Sequence, residues 1–223
     1  MINLPKFIQK FFAYPQAEVL SVVFCVILVE WIILPFTRNP FVIALPIVAA
    51  VIIIFLSHRA RNESMTELGW RFDNFFDCLK LLVLPMLLVT LFLTFVGWYY
   101  ESLRFGDLFG VLLYKKYLLL FVWGLVQQHA LQAFFNRRTQ EIWGRGFLSV
   151  FVTSTIFALL HLPNIWLTVA TFCGGILWAT VYQRVPNLFA LALSHGLMST
   201  VLVATLPPWA LHGMRVGYNY FRL

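Results

Sequence analysis

Four polar side chains, Gln127, Gln128, His129 and Gln132, interrupt an otherwise apolar run from Phe121 to Arg138. An unpaired amide in hydrocarbon costs several kcal/mol, so these groups must face protein or a wet cavity. Two further histidines stand in apolar surroundings: His161 closes the run Phe157-Ala158-Leu159-Leu160-His161, and His195 is followed one helical turn later by Ser199. Imidazole accepts and donates protons near neutral pH, whereas an amide orients a partner without taking its proton. At 3.6 residues per turn, Gln128, Gln132 and Asn136 share one helix face, with His129 beside them and Gln127 further round. Polar groups on three apolar segments predict one shared cavity, the least costly way to satisfy them. The alternative is an interhelical hydrogen-bond network that only holds the segments together. His58 and His212 read as structural histidines at segment ends.

The nine acidic residues are Glu18, Glu30, Glu63, Glu67, Asp73, Asp77, Glu101, Asp107 and Glu141. Only Glu30 lies well inside an apolar run. A carboxyl buried there must pair or become neutral, which makes Glu30 a candidate acid or base if its helix reaches the histidines. The competing reading has it reach the interface or bond a neighbouring helix.

Composition defines the elements that position these groups. The chain has 223 residues, is 61% hydrophobic and 11% charged, with a mean hydropathy of +0.83. That profile predicts an integral membrane protein of all-α class, a single polytopic helix bundle over residues 1–223. Apolar runs occur at Ala17 to Phe36, Phe41 to Leu56, Leu81 to Tyr99, Tyr117 to Phe135, Phe147 to Leu162, Ile165 to Tyr182 and Leu188 to Leu206. About 20 helical residues cross the hydrocarbon, so about seven spans are expected. The polar, aromatic-rich segment His58 to Lys80 suits a helix lying in the interface, and Glu101 to Lys116 a second, shorter one. Ala170, Gly174, Gly175 and Ala179 are small-residue pairs that let the sixth span pack closely near the bundle centre.

The net charge of +7 comes from basic residues set singly or in pairs between apolar runs. Loop charges of a membrane protein account for it, and no nucleic-acid partner is expected. Ten Lys and Arg fall on the side of the N-terminus and six on the other, which predicts a cytoplasmic N-terminus in a bacterial-type inner or plasma membrane. Lys6 and Lys10 precede a run too long for a signal peptide, read as a retained first span. Cys25, Cys78 and Cys173 form no C-x-x-C pair and read as small apolar side chains. Two or three histidines could meet a zinc ion, but no H-E-x-x-H pattern or phosphate-binding glycine loop is present, so no metal or cofactor is assigned.

At these residues the sequence resembles the CPBP family, the type II CAAX prenyl proteases and the bacteriocin-processing or Abi-type membrane proteins. Members carry E-E-x-x-x-R on one membrane helix, F-x-x-x-H on the next and H-x-x-x-N on a later one. Phe157 to His161 matches the second pattern, and His195 is the histidine of the third. Gln127 and Gln128 stand at the two glutamates, Gln132 at the arginine and Ser199 at the asparagine. The resemblance covers about Trp70 to Pro207. It implies a CPBP-like core and peptide hydrolysis in which a glutamate activates water while histidines and the asparagine assist. Exchange of both glutamates and the arginine together leaves a neutral network rather than a stranded buried cation. Any chemistry is then expected from His161, His195 or a carboxylate from elsewhere, acting on a membrane-delivered peptide or lipid-like substrate with membrane lipid as the other partner. A noncatalytic binding or immunity scaffold is the alternative.

Overall fold

Leucine-, isoleucine- and phenylalanine-rich runs of this length have one low-energy form in lipid, the α-helix, because it satisfies every backbone N–H and C=O internally. The computed structural model describes residues 10–104, 106 and 115–222, and among these the secondary structure is helical with no strand. Six helices are long and apolar enough to cross a membrane: α1 (Pro15–Phe36), α2 (Pro40–Ala60), α3 (Phe75–Tyr99), α4 (Leu118–Trp143), α6 (Ile165–Arg184) and α7 (Leu188–Thr205). Between α4 and α6 lies α5 (Phe147–Leu159), 13 residues long. At 1.5 Å per residue it reaches about 20 Å, short of the roughly 30 Å of a full crossing. The run expected to span to Leu162 thus stops early, because residues 160–163 turn and Asn164 caps α6 by accepting from Leu167 N–H. Asn164 also donates to the carbonyl of Leu211 at 2.7 Å, which ties the turn to the short C-terminal helix α8 (Pro208–Leu211).

The interfacial helix expected across His58 to Lys80 is not formed as such. α2 runs on to Ala60, residues 61–74 are turns and bends, and α3 begins at Phe75. Local hydrogen bonding competes with the helix here: Glu67 accepts from the backbone and hydroxyl of Ser64. Gly69 then takes φ +89°, and an added Cβ would come within 3.2 Å of the Asn187 and Leu188 nitrogens. Its carbonyl accepts from Leu188 N–H at 2.9 Å, so the loop is fastened to the start of α7. The expected second linker, Glu101 to Lys116, falls largely on residues 107–114, and Lys6 on 1–9; both stretches lie outside the described residues.

The small-residue stripe of α6 does pack closely. Gly175 faces Ser154 of α5, where an added Cβ would sit 3.0 Å from the Ser154 backbone, and Ala179 is fully buried. α7 is nevertheless the most buried of the six spans. Two apolar clusters flank α4. Leu131 and Ala133 join Leu82, Trp178, Leu188 and Leu191 on one side, and Phe134 and Phe135 join Val19, Val22 and Ala50 on the other.

Candidate functional site

The centre of α4 is not a regular α-helix. Residues His129–Asn136 form a π-helical stretch between Lys115–Gln128 and Arg137–Trp143. Such insertions widen the helix and recur at functional positions. Here the wider turn sends side chains to different neighbours, and Leu131 through Asn136 are all buried. The stripe expected on one face therefore divides.

Gln128 points to α7. Its Nε2 lies 3.1 Å from His195 Nδ1; the amide donates, so the neutral imidazole keeps its proton on Nε2. Two features fix this contact. Gly124, one turn earlier on α4, lets α7 approach so closely that an added Cβ would meet the Ala192 carbonyl oxygen at 3.1 Å and His195 Cβ at 3.5 Å. The His195 ring also stacks on Trp178, with centroids 4.5 Å apart and planes 14° from parallel, while Trp178 Nε1–H donates to Ser194 Oγ at 2.6 Å.

Gln132 turns toward α6 through Asn136. Asn136 Nδ2 donates to Gln132 Oε1 at 2.8 Å and to the Ala179 carbonyl at 3.2 Å, and its Oδ1 accepts from Gln140 and Gln183. That leaves Gln128 Oε1, an acceptor, and Gln132 Nε2, a donor, buried with no hydrogen-bond partner among the described residues. Both side chains are 0% exposed. A buried polar atom left unpaired costs roughly 1–3 kcal/mol, so this pair is held at an energetic cost.

His161 lies in the turn after α5. Its Nδ1 is 2.6 Å from the Phe157 carbonyl oxygen. A carbonyl can only accept, so the proton is on Nδ1 and Nε2 carries the lone pair. Phe157 stands between the histidines, its ring centroid 4.7 Å from that of His161 and 6.2 Å from that of His195. The two imidazoles thus differ in tautomer: the free Nε2 of His161 is an acceptor and that of His195 a donor.

The other expected residues are placed as follows. Ser199 is buried on α7 one turn beyond His195, and Gln127 is half-buried on α4. His129 turns away from His195: its Nδ1 accepts from Trp70 Nε1–H at 3.1 Å, and its ring is 5.4 Å from that of His58. Glu30 sits on a π-helical stretch of α1, against Gly217 of the C-terminal segment, in a cleft of about 460 Å³ lined by Glu30 and residues between Gly213 and Arg222. Neither that cleft nor a second, of about 410 Å³ beside Gly97 to Leu103, is lined by Gln128, His161 or His195.

Sequence reasoning missed a second polar cluster at the far end of α4. Arg138 is fully buried and pairs with Glu63 and Glu141. Arg61 donates to Glu18 at 2.7 Å, and Ser57 Oγ–H donates to the same buried carboxylate. Arg137 bonds Glu63 at 2.6 Å, and Glu63 also receives His58 Nδ1 at 2.6 Å. Burial alone would raise the Glu63 carboxyl, but the His58 hydrogen bond and the Arg138 and Arg137 charges outweigh it and hold the group at about 2. The available signal was the Arg137-Arg138 pair directly after the stripe, too close to an apolar segment to be an ordinary loop charge.

With this geometry in place, comparison with known families is decisive for one stretch. Residues 112–201 match the family described as type II CAAX prenyl endopeptidase Rce1-like. Over this stretch the chain is similar to that family. The matched CPBP residues contain the Gln128–His195 contact, His161 and the whole π-helical turn, whereas α1, α2 and Glu30 lie outside them. No curated protein and no solved structure matches the chain. The chain is therefore a helical membrane protein with similarity to CAAX prenyl endopeptidases over residues 112–201.

Proposed function

We propose that this protein is a divergent CPBP-type intramembrane hydrolase in which two histidines, rather than a glutamate, move the protons. The observation that carries the reading is the opposite proton placement of the histidines, set by Phe157 on one and Gln128 on the other. In the proposed reaction a water oxygen attacks the carbonyl carbon of a membrane-delivered peptide, and its proton passes to His161 Nε2. His195 Nε2–H donates to the developing oxyanion. As the intermediate collapses the C–N bond breaks, and the proton on His161 goes to the leaving amine. Gln128 positions His195, Ser199 stands where the family places its oxyanion-holding asparagine, and Gln127 is on hand to orient water. Glu30 has no step in this scheme.

The test is turnover of a prenylated CAAX-type peptide by purified protein in lipid nanodiscs. His161→Ala and His195→Ala should each abolish cleavage while expression and thermal unfolding stay at the wild-type level. Full turnover by both variants would end the reading. One observation favours a second reading, a noncatalytic binding scaffold: His195 is covered by Trp178, and Gln128 and Gln132 are fully enclosed. A scaffold tolerates loss of both histidines and shows no turnover under any condition.

A further inference from the structure

The cleft around Glu30 is separate from the histidine site and has its own chemistry. Glu30 lies on the π-helical stretch Leu28–Ile33, and its Oε2 is buried without a hydrogen-bond partner among the described residues. The cleft is not a chance gap, because the segment that closes it is pinned. Gly217 takes φ +54°, and a Cβ there would stand 2.7 Å from Glu30 Cβ and 2.8 Å from Oε2, so only glycine lets the backbone pass. Gly217 N–H donates to the Leu162 carbonyl at 2.9 Å. Arg38 is turned to Asn219 Oδ1, on the cleft wall, at 2.8 Å. The remaining charged lining is cationic: Arg215 donates to the Arg222 carbonyl, and the Arg222 guanidinium lies 5.2 Å from the Tyr218 ring centroid.

Position decides what reaches this cleft. Glu30 is six residues from the end of α1 at Phe36, about 9 Å along the axis, which sets it near the boundary between hydrocarbon and headgroups. Exposed Trp31, Phe221, Trp166 and Trp209 pair around the same end, Trp31 with Phe221 and Trp166 with Trp209, as an interfacial aromatic belt does. A guest from this layer needs a hydrogen-bonding cation for Glu30 and an anion for Arg215 and Arg222.

We infer that the cleft holds the headgroup of an aminophospholipid, its primary ammonium on Glu30 and its phosphate on Arg215 and Arg222. A choline headgroup has no N–H to give the carboxylate, and a single carboxylate is too few ligands to select calcium or magnesium. The site is independent of the hydrolase reading and would serve a scaffold equally.

The experiment uses the full chain reconstituted in nanodiscs containing equal phosphatidylethanolamine, phosphatidylcholine and phosphatidylglycerol, with retained lipid measured by native mass spectrometry. Wild-type protein should retain the ethanolamine lipid about tenfold over the choline lipid, which corresponds to roughly 1.4 kcal/mol. Glu30→Gln should abolish that preference, and Arg215→Gln with Arg222→Gln should lower retention of both lipids. The arginine pair is exposed, so this second test stands even where Glu30→Gln fails to fold. Soluble O-phosphoethanolamine should displace the lipid and phosphocholine should not. Equal retention of the two zwitterionic lipids by wild type, an unchanged preference in Glu30→Gln, or equal displacement by both soluble headgroups would overturn the inference.

Discussion

The centre and the C-terminal end of α4, the neutral and the charged ends of its polar stretch, treat buried polarity in different ways. From Arg137 to Glu141 the buried charges are paired: Arg138 meets Glu63 and Glu141, and Arg137 meets Glu63, although Arg138 Nε and the facing His58 Nε2 make no hydrogen bond among the described residues. From Gln127 to Gln132 they are neutral and unfinished, with Gln128 Oε1 and Gln132 Nε2 left without partners among the described residues. A paired ionic cluster fixes helices, because each charge is stranded if its partner leaves. An unfinished neutral set retains the capacity to bind. The lesson is that buried polarity alone does not mark a site.

The largest effect is expected where the charged end is broken. Glu18→Ala removes the carboxylate held by Arg61 and Ser57 and should lower stability by about 3–5 kcal/mol, the usual cost of stranding a buried charge. Thermal or denaturant unfolding in detergent measures it, and a loss under about 1 kcal/mol would mean the cluster is solvated. Next is Gly124→Leu, whose side chain would drive into the Ala192 carbonyl and His195. It should cost about 1–3 kcal/mol by overpacking and separate Gln128 from His195, so turnover should fall further than stability does.

How much of this difference was visible in the sequence depends on how far apart the partners are. The neutral end was legible because Gln127, Gln128, His129 and Gln132 lie within one apolar run, and helical periodicity predicted that Gln128 and Gln132 turn inward. Gln128 and His195, 67 residues apart, were both among the groups expected to share a cavity, and they lie 3.1 Å from each other. The charged end was hidden because Glu18, Arg61, Glu63 and Arg138 come from four places in the chain, and each resembled a loop charge. Period 3.6 also failed locally: the π-helical turn sends His129 to Trp70 and Asn136 to α6. The short α5 was overestimated because its apolar composition runs on to Leu162, past the point where Asn164 caps the next helix.

A smaller effect separates the ends by pH. Glu63 has an ordinary carboxyl value near 4.5 when unfolded and about 2 when folded. Its contribution is therefore fully present above about 4.5 and is lost as pH falls through 2. Glu63→Gln should flatten the acid side of the stability profile between those values, read from unfolding midpoints across the range. Gln128→Glu makes the sharpening exchange at the other end. Placing a carboxylate against His195 should cost about 1–3 kcal/mol while giving turnover a new acidic limb in its pH profile. An unchanged profile would remove Gln128 from contact with the reacting groups.

The central claim, that one end of the α4 polar stretch does chemistry while the other holds the fold, is met most directly by a paired measurement of turnover per folded molecule. His195→Ala and Glu63→Ala are compared in nanodiscs with a prenylated CAAX-type peptide, each normalised to the fraction folded. The account predicts that His195→Ala loses turnover at wild-type stability, and that Glu63→Ala loses stability while its folded fraction turns over normally. Normal turnover by His195→Ala, or loss of turnover by fully folded Glu63→Ala, would contradict it.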